Sequence, residues 1–126
     1  MPPISLLHIA LVAGGGAAGS VLRYIASTWV LARAGGGWPL GTLLVNVLGS
    51  LLIGLLAAWY VRHPGQPSGY LLLATGFCGG FTTFSALSLE SWQLLRQQQF
   101  QALGLYLAAS LILGIGACVL GYQLSK

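Results

Sequence analysis

Four long apolar runs divide the chain: Ile4 to Leu31, Leu40 to Val61, Tyr70 to Leu95 and Phe100 to Leu124. Each approaches or exceeds the roughly 20 apolar residues that an α-helix needs to cross the hydrocarbon of a bilayer. The interruptions are abrupt. Arg33-Ala-Gly-Gly-Gly-Trp-Pro39 reads as a flexible loop closed by proline. Arg62-His-Pro-Gly-Gln-Pro-Ser68 holds two prolines, which forbid a continuing helix, and Arg96-Gln-Gln-Gln99 is a short polar turn. Trp29, Trp38, Trp59, Tyr60, Tyr70, Trp92 and Tyr122 lie near the run ends, where amphipathic rings sit at headgroup level. The pattern predicts an all-α integral membrane protein with four spans in a single domain, residues 1–126, without an internal repeat.

Composition narrows the function classes. Of 126 residues, 56% are hydrophobic and only 5% charged, and mean hydropathy is +0.85. A soluble domain carries about 25% charged residues, so a secreted module, a cytosolic enzyme and a disordered tail are excluded. The net charge of +4 comes from Arg23, Arg33, Arg62, Arg96 and Lys126, which stand singly. Nucleic-acid binding would cluster them on one face. Glu90 is the only acid, so paired-carboxylate chemistry cannot occur within one chain. Cys78 and Cys118 lie in apolar stretches and read as small buried hydrophobes. His8 and His63 have no second ligand at metal spacing. No enzyme is expected.

The first run has no basic start, and it stays apolar beyond the small-residue stretch Ala13 to Ser20. It therefore reads as a span rather than a cleaved leader. With four spans, Arg62 and Lys126 share one side with the N-terminus, opposite Arg33 and Arg96. Arg23, near the far end of the first helix, tips the tally, and the α-amino group evens it. The positive-inside rule has almost nothing to act on. Such a tie predicts insertion in both orientations; the competing reading is that five charges are too few to set a bias.

Gly15-x-x-x-Gly19 and Gly76-x-x-x-Gly80 are small-residue pairs that let helices approach closely, and by themselves they signal packing. The third run is different. Gly79-Gly-Phe-Thr-Thr-Phe-Ser85 is poor helix material at its centre, which predicts a helix broken at mid-membrane. Free backbone groups at such a break are tolerated only when buried or lining a cavity. Unwound carbonyls there take cations, and half-helix N-termini take anions. A kinked packing helix is the plainer alternative.

Gly79-Gly-Phe-Thr-Thr-Phe-Ser85, Gly19-Ser-Val-Leu-Arg23-Tyr24 and Gly41-Thr-Leu-Leu-Val-Asn46-Val-Leu-Gly49 together resemble the signatures of the Fluc (CrcB) fluoride ion channel family. The resemblance covers essentially the whole chain. It implies a dual-topology homodimer, two subunits antiparallel in a bacterial inner (plasma) membrane, with fluoride pores at the interface. Passive fluoride export would lower cytoplasmic fluoride. It also implies a structural, untransported sodium ion at the dimer centre, bound by the main-chain carbonyls of Gly79 and Thr82 from both subunits. Hard oxygen ligands from unwound backbone suit a hard cation.

The same resemblance assigns the pore. Phe84 matches a pore phenylalanine, whose positive ring edge faces an anion without a full charge; conduction needs weak, multiple sites. The family often has a second phenylalanine three residues on, where this chain has Leu87. Asn46 matches a pore asparagine whose N–H₂ can donate to fluoride; a helix–helix hydrogen bond is its other reading. Tyr106, Ser110, Gly114 and Cys118 share one helix face, and of the implied hydroxyl track Tyr106 and Ser110 remain. Ser85 and Ser88 flank Phe84. Arg23 and Glu90 are the only charges inside the spans. Arg23 reads as part of a basic vestibule or as a snorkelling arginine. Glu90, about 9 Å beyond Phe84 at helical rise, would face the same aqueous mouth.

Two rival functions are weighed. A small proton-coupled multidrug-type transporter needs a carboxylate deep in the membrane, and its family carries one in the first span; Ile4 to Leu31 has no acid. A non-transporting subunit of a membrane complex leaves the Gly-Gly-Phe-Thr-Thr-Phe-Ser segment without a purpose.

Overall fold

A computed structural model describes residues 3–126. Among them all regular structure is helical: α1 (Leu6–Ala34), α2 (Leu40–Arg62), α3 (Pro67–Tyr70), a π-helical stretch (Leu71–Cys78), α4 (Gly79–Phe81), α5 (Phe84–Arg96) and α6 (Phe100–Ser125). The pieces from α3 to α5 form one apolar segment, Pro67–Arg96, so the chain has four segments long and apolar enough to cross a membrane. It is a multi-pass membrane protein.

Local chemistry sets the ends. Helix α1 begins just after Ser5, whose Oγ accepts the His8 N–H at 3.2 Å; this occupies one of the backbone donors that a helix start leaves unpaired. It stops at Gly35, where φ is +68° and the N–H reaches back to the Leu31 carbonyl, a left-handed geometry that glycine adopts without a Cβ clash. The third segment starts at Pro67, three residues before the apolar run. Proline suits the first helical position because its missing N–H would have no helical partner there. At the far end of α1, Arg33 lies over the Trp29 ring, 4.4 Å from its centre, so the charge is held beside an aromatic at the run end.

The bundle is two tight pairs laid together: α1 against the first half of the third segment, and α2 against α6. Lipid tails are as apolar as leucine, so helices in a bilayer associate through close van der Waals contact. Glycine provides it here. A Cβ on Gly15 or Gly19 would strike the Leu72 or Phe77 carbonyl, and one on Gly80 would strike the Gly16 carbonyl. Across the other pair, a Cβ on Gly54 would strike the Cys118 carbonyl, and one on Gly121 the Leu51 carbonyl. Few side chains are enclosed; Val45 and Tyr106 alone have no exposed area among the large ones described. Outward residues such as Leu111 and Ile112 remain exposed, as a hydrocarbon solvent allows.

Gly121→Ala should force α6 away from α2 and lower stability by about 1–3 kcal/mol, the usual scale of overpacking. Gly116→Ala, where a Cβ meets nothing within 4 Å, should be neutral. Thermal unfolding of the purified protein in detergent compares the two directly.

Candidate functional site

The site begins where the third segment stops being helical. Thr82 (φ −89°, ψ 158°) and Thr83 (φ −151°, ψ 116°) are extended between α4 and α5. A helix ending in an apolar setting must account for its last four carbonyls, and the next helix for its first N–H groups. The Cys78 carbonyl accepts the Thr82 N–H at 3.0 Å and the Thr82 hydroxyl at 2.9 Å. The Gly80 carbonyl accepts Nε–H of Arg23, reaching over from α1, at 2.9 Å. Thr83 is engaged by Asn46 of α2 on both sides: its N–H donates to Oδ1 at 2.8 Å, and its carbonyl accepts from Nδ2 at 3.1 Å. The methyl of Thr82 fills the space that Gly49 leaves by lacking a Cβ. Thr83 also caps α5, its Oγ1 accepting the Ala86 N–H at 3.1 Å.

The carbonyls of Gly79 and Thr82 accept no hydrogen bond among the described residues, and the N–H groups of Phe84 and Ser85 donate none. Both carbonyl-bearing residues line an open groove of about 420 Å³ with Asn46, Ser50, Phe84 and Leu87. Unpaired carbonyl oxygens at one end of a break can hold a hard cation. Unpaired N–H groups at the start of α5 favour negative charge. The Phe84 ring projects beside them and is 79% exposed.

A second cluster lies further along α5. Glu90 accepts the Thr42 hydroxyl and the Tyr106 hydroxyl, each at 2.6 Å. This carboxylate ties α5 to α2 and α6 at once. Tyr106 is fully buried, with its ring edge-on to Trp38 at 5.7 Å. Small cavities of about 190 and 230 Å³ open beside Glu90, lined by Ser27 and Thr28 in one case and Gln93 and Gln97 in the other.

The candidate residues therefore fall into separate places. Asn46, Gly79, Thr82 and Phe84 share the groove. Arg23 touches the break from the opposite side, and its Nε–H is spent on a carbonyl. Tyr106 and Glu90 form their own cluster, so the tyrosine hydroxyl already has an acceptor. Ser110 lies on α6 between them: Tyr106 and Gly114 bracket it as Thr42 and Ser50 bracket Asn46, and its buried Oγ has no partner. Ser85 pairs with the Thr83 hydroxyl at 3.1 Å, and Ser88 donates to the Phe84 carbonyl at 2.9 Å. The amide of Asn46 makes a helix-to-backbone contact and retains one further N–H.

Sequence reasoning missed Thr42, Thr83 and Gly49. A signal existed for each. Thr42, Asn46 and Ser50 are polar side chains one turn apart in an otherwise apolar stretch, Gly49 lies beside that face, and threonine directly before a helix is a common cap.

Residues 10–122 match the model of a family described as CrcB-like protein, Camphor Resistance (CrcB). The chain belongs to the CrcB family. Among its relatives, a "Fluoride-specific ion channel FluC" from Rhizobium meliloti (strain 1021) is 47% identical over 120 residues, covering 94% of this chain and 96% of the relative. Proteins of the same name from Caulobacter sp. (strain K31) and Rhizobium johnstonii are 42% and 45% identical; the match covers 96% of this chain in each case, and 96% and 98% of the respective relative. In this CrcB chain the Glu90 cluster is open to a direct stability test. Tyr106→Phe keeps the ring against Trp38 and removes one donor to the carboxylate. A loss of about 1.5–3 kcal/mol is expected, the scale of a hydrogen bond to a charged group, read by denaturation in detergent beside Thr42→Val.

Proposed function

We propose that the chain is a fluoride-selective channel that lets fluoride leave the cytoplasm passively across a bacterial inner membrane, working as an antiparallel homodimer. The observation that carries this reading is that relatives matching 94–96% of the chain, at 42–47% identity, bear the name fluoride-specific ion channel. The groove at the break, lined by Asn46, Ser50 and Phe84 among others, is consistent with anion passage.

Along the proposed path, the anion meets weak donors in place of fixed charges. Phe84 offers the positive edge of its exposed ring. Beside it stand the unpaired N–H groups at the start of α5 and the remaining N–H of Asn46. Beyond lie the orphaned hydroxyl of Ser110 and the hydroxyl of Tyr106, which must turn from Glu90 to donate to an anion. Arg23, with its Nε–H on the Gly80 carbonyl, keeps its other guanidinium donors to attract anions toward the break. Thr82 and Thr83 fall near the middle of the 30-residue segment Pro67–Arg96, which supports a break near the bilayer midplane.

A sodium ion fits the same groove as a structural element. The open carbonyls of Gly79 and Thr82 supply hard oxygens, and two from one chain leave a cation incompletely surrounded. A second copy facing the groove would complete the set, so the donor count favours a dimer. Bound there, the ion would supply charge to hold two unwound segments together.

Fluoride efflux from liposomes holding the purified protein alone tests the function. Phe84→Ile should cut the rate severely, since loss of a contact worth roughly 1–2 kcal/mol slows passage about tenfold per 1.4 kcal/mol. Leu87→Phe, which adds a second ring edge, should leave flux equal or faster. Near-normal flux in a well-folded Phe84→Ile protein would remove the ring from the mechanism. Orientation has its own test: a single cysteine in the 62–68 loop should label from both faces of intact cells, and one-sided labelling would refute the antiparallel pair.

A further inference from the structure

We propose that Asn46 is a positioning residue that opens the Gly79 carbonyl by diverting the one backbone N–H that would close it. In an α-helix the carbonyl of residue i accepts the N–H of residue i+4. After the widened turns of Leu71–Cys78 this α-type bond is made at Cys78, whose carbonyl takes the Thr82 N–H at 3.0 Å. The next rung would join Thr83 to Gly79. That rung is missing because the Thr83 N–H points to Asn46 Oδ1 at 2.8 Å, while Nδ2 returns a bond to the Thr83 carbonyl at 3.1 Å. The side-chain amide thus acts as a short length of neighbouring strand and holds Thr83 at φ −151°, ψ 116°.

The rung after Gly79 is also broken, yet Arg23 fills the Gly80 carbonyl at 2.9 Å. Gly79 is left bare between two closed neighbours and faces the groove that Asn46 itself lines. The register is fixed from α2, since Gly49, one turn from Asn46, receives the Thr82 methyl. Asn46 therefore acts on a cation without touching it: remove the amide, and the Thr83 N–H is free to turn back onto Gly79.

This inference rests on the sodium reading above, and its test separates the two. The dimer–monomer equilibrium in detergent is titrated with sodium chloride, an organic cation holding ionic strength constant. The unmodified chain, Asn46→Leu and Asn46→Ala are each compared with and without an ester at residue 83, in which the α-hydroxy acid of threonine removes the N–H. Both Asn46 variants should raise the sodium midpoint about tenfold or more, as expected when a ligand loses affinity for the assembled state. The ester should bring the midpoint back to within about threefold of the unmodified chain, because no N–H remains to close Gly79. A merely structural asparagine gives no such rescue. Sodium dependence that Asn46→Leu and Asn46→Ala leave in place, or a shift that the ester does not reverse, overturns the role of Asn46. No sodium response in the unmodified chain overturns the cation reading itself, and this inference with it. Should Asn46→Leu fail to fold, Asn46→Ala with and without the ester decides alone.

Discussion

The pair of hydrogen bonds between the Asn46 amide and the Thr83 backbone is the contact on which the rest of the arrangement depends. A peptide group in hydrocarbon has no water to turn to, so a chain can leave the helical path only where another group replaces the lost rungs. Asn46 does so from α2 and Arg23 from α1, one on either flank. With those replacements present, two residues are extended, a new helix starts at Phe84, and Gly79 and Thr82, with their unpaired carbonyls, line one groove with Phe84. Without them the most stable course for this segment is an uninterrupted helix with no chemistry on its surface.

Holding a break in place also requires that its flanks lie very close to their neighbours. Packed helices ordinarily keep their axes about 8–10 Å apart, depending on the side chains between them. Glycine shortens the gap where it matters. Gly15, Gly19 and Gly80 bring α1 and the third segment into backbone contact, and Gly49 lets Thr82 settle against α2. The interior is thus made less of side chains than of main chain meeting main chain. That is why so few residues are enclosed and why Val45 and Tyr106 stand out as the exceptions.

Much of this was legible beforehand. Runs of apolar residues and their proline- and glycine-marked interruptions locate the four segments, because bilayer thickness dictates length and little else competes with it. Gly79-Gly-Phe-Thr-Thr-Phe-Ser85 marks the irregular stretch, since adjacent glycines and paired threonines weaken a helix locally. What the pattern does not carry is pairing between helices. Asn46 reads equally well as a donor to an anion or as a bond to a neighbour, and only the placement of Thr83 beside it distinguishes the contact. Tyr106 and Glu90 likewise show no sign in sequence of belonging to each other, being separated by a polar turn and drawn together by the return of α6. The widened turns at Leu71–Cys78 were also unreadable, because no residue in that run demands them; they lie where the third segment meets α1 at Gly15.

Thr42 and Asn46 project from α2 one turn apart, and they grip Glu90 and Thr83 at opposite ends of the two turns that carry Phe84. A beam fastened at two points resists swivelling far more than one hung from a single pin. The ring is consequently mounted on a stiff bracket: it can rotate about its own side-chain bonds, but its Cα is denied the slow rocking that a helix following a break would otherwise have. Any twist of α2 about its axis would pull both fastenings together, so the groove and the Glu90 carboxylate respond to mechanical strain as one unit.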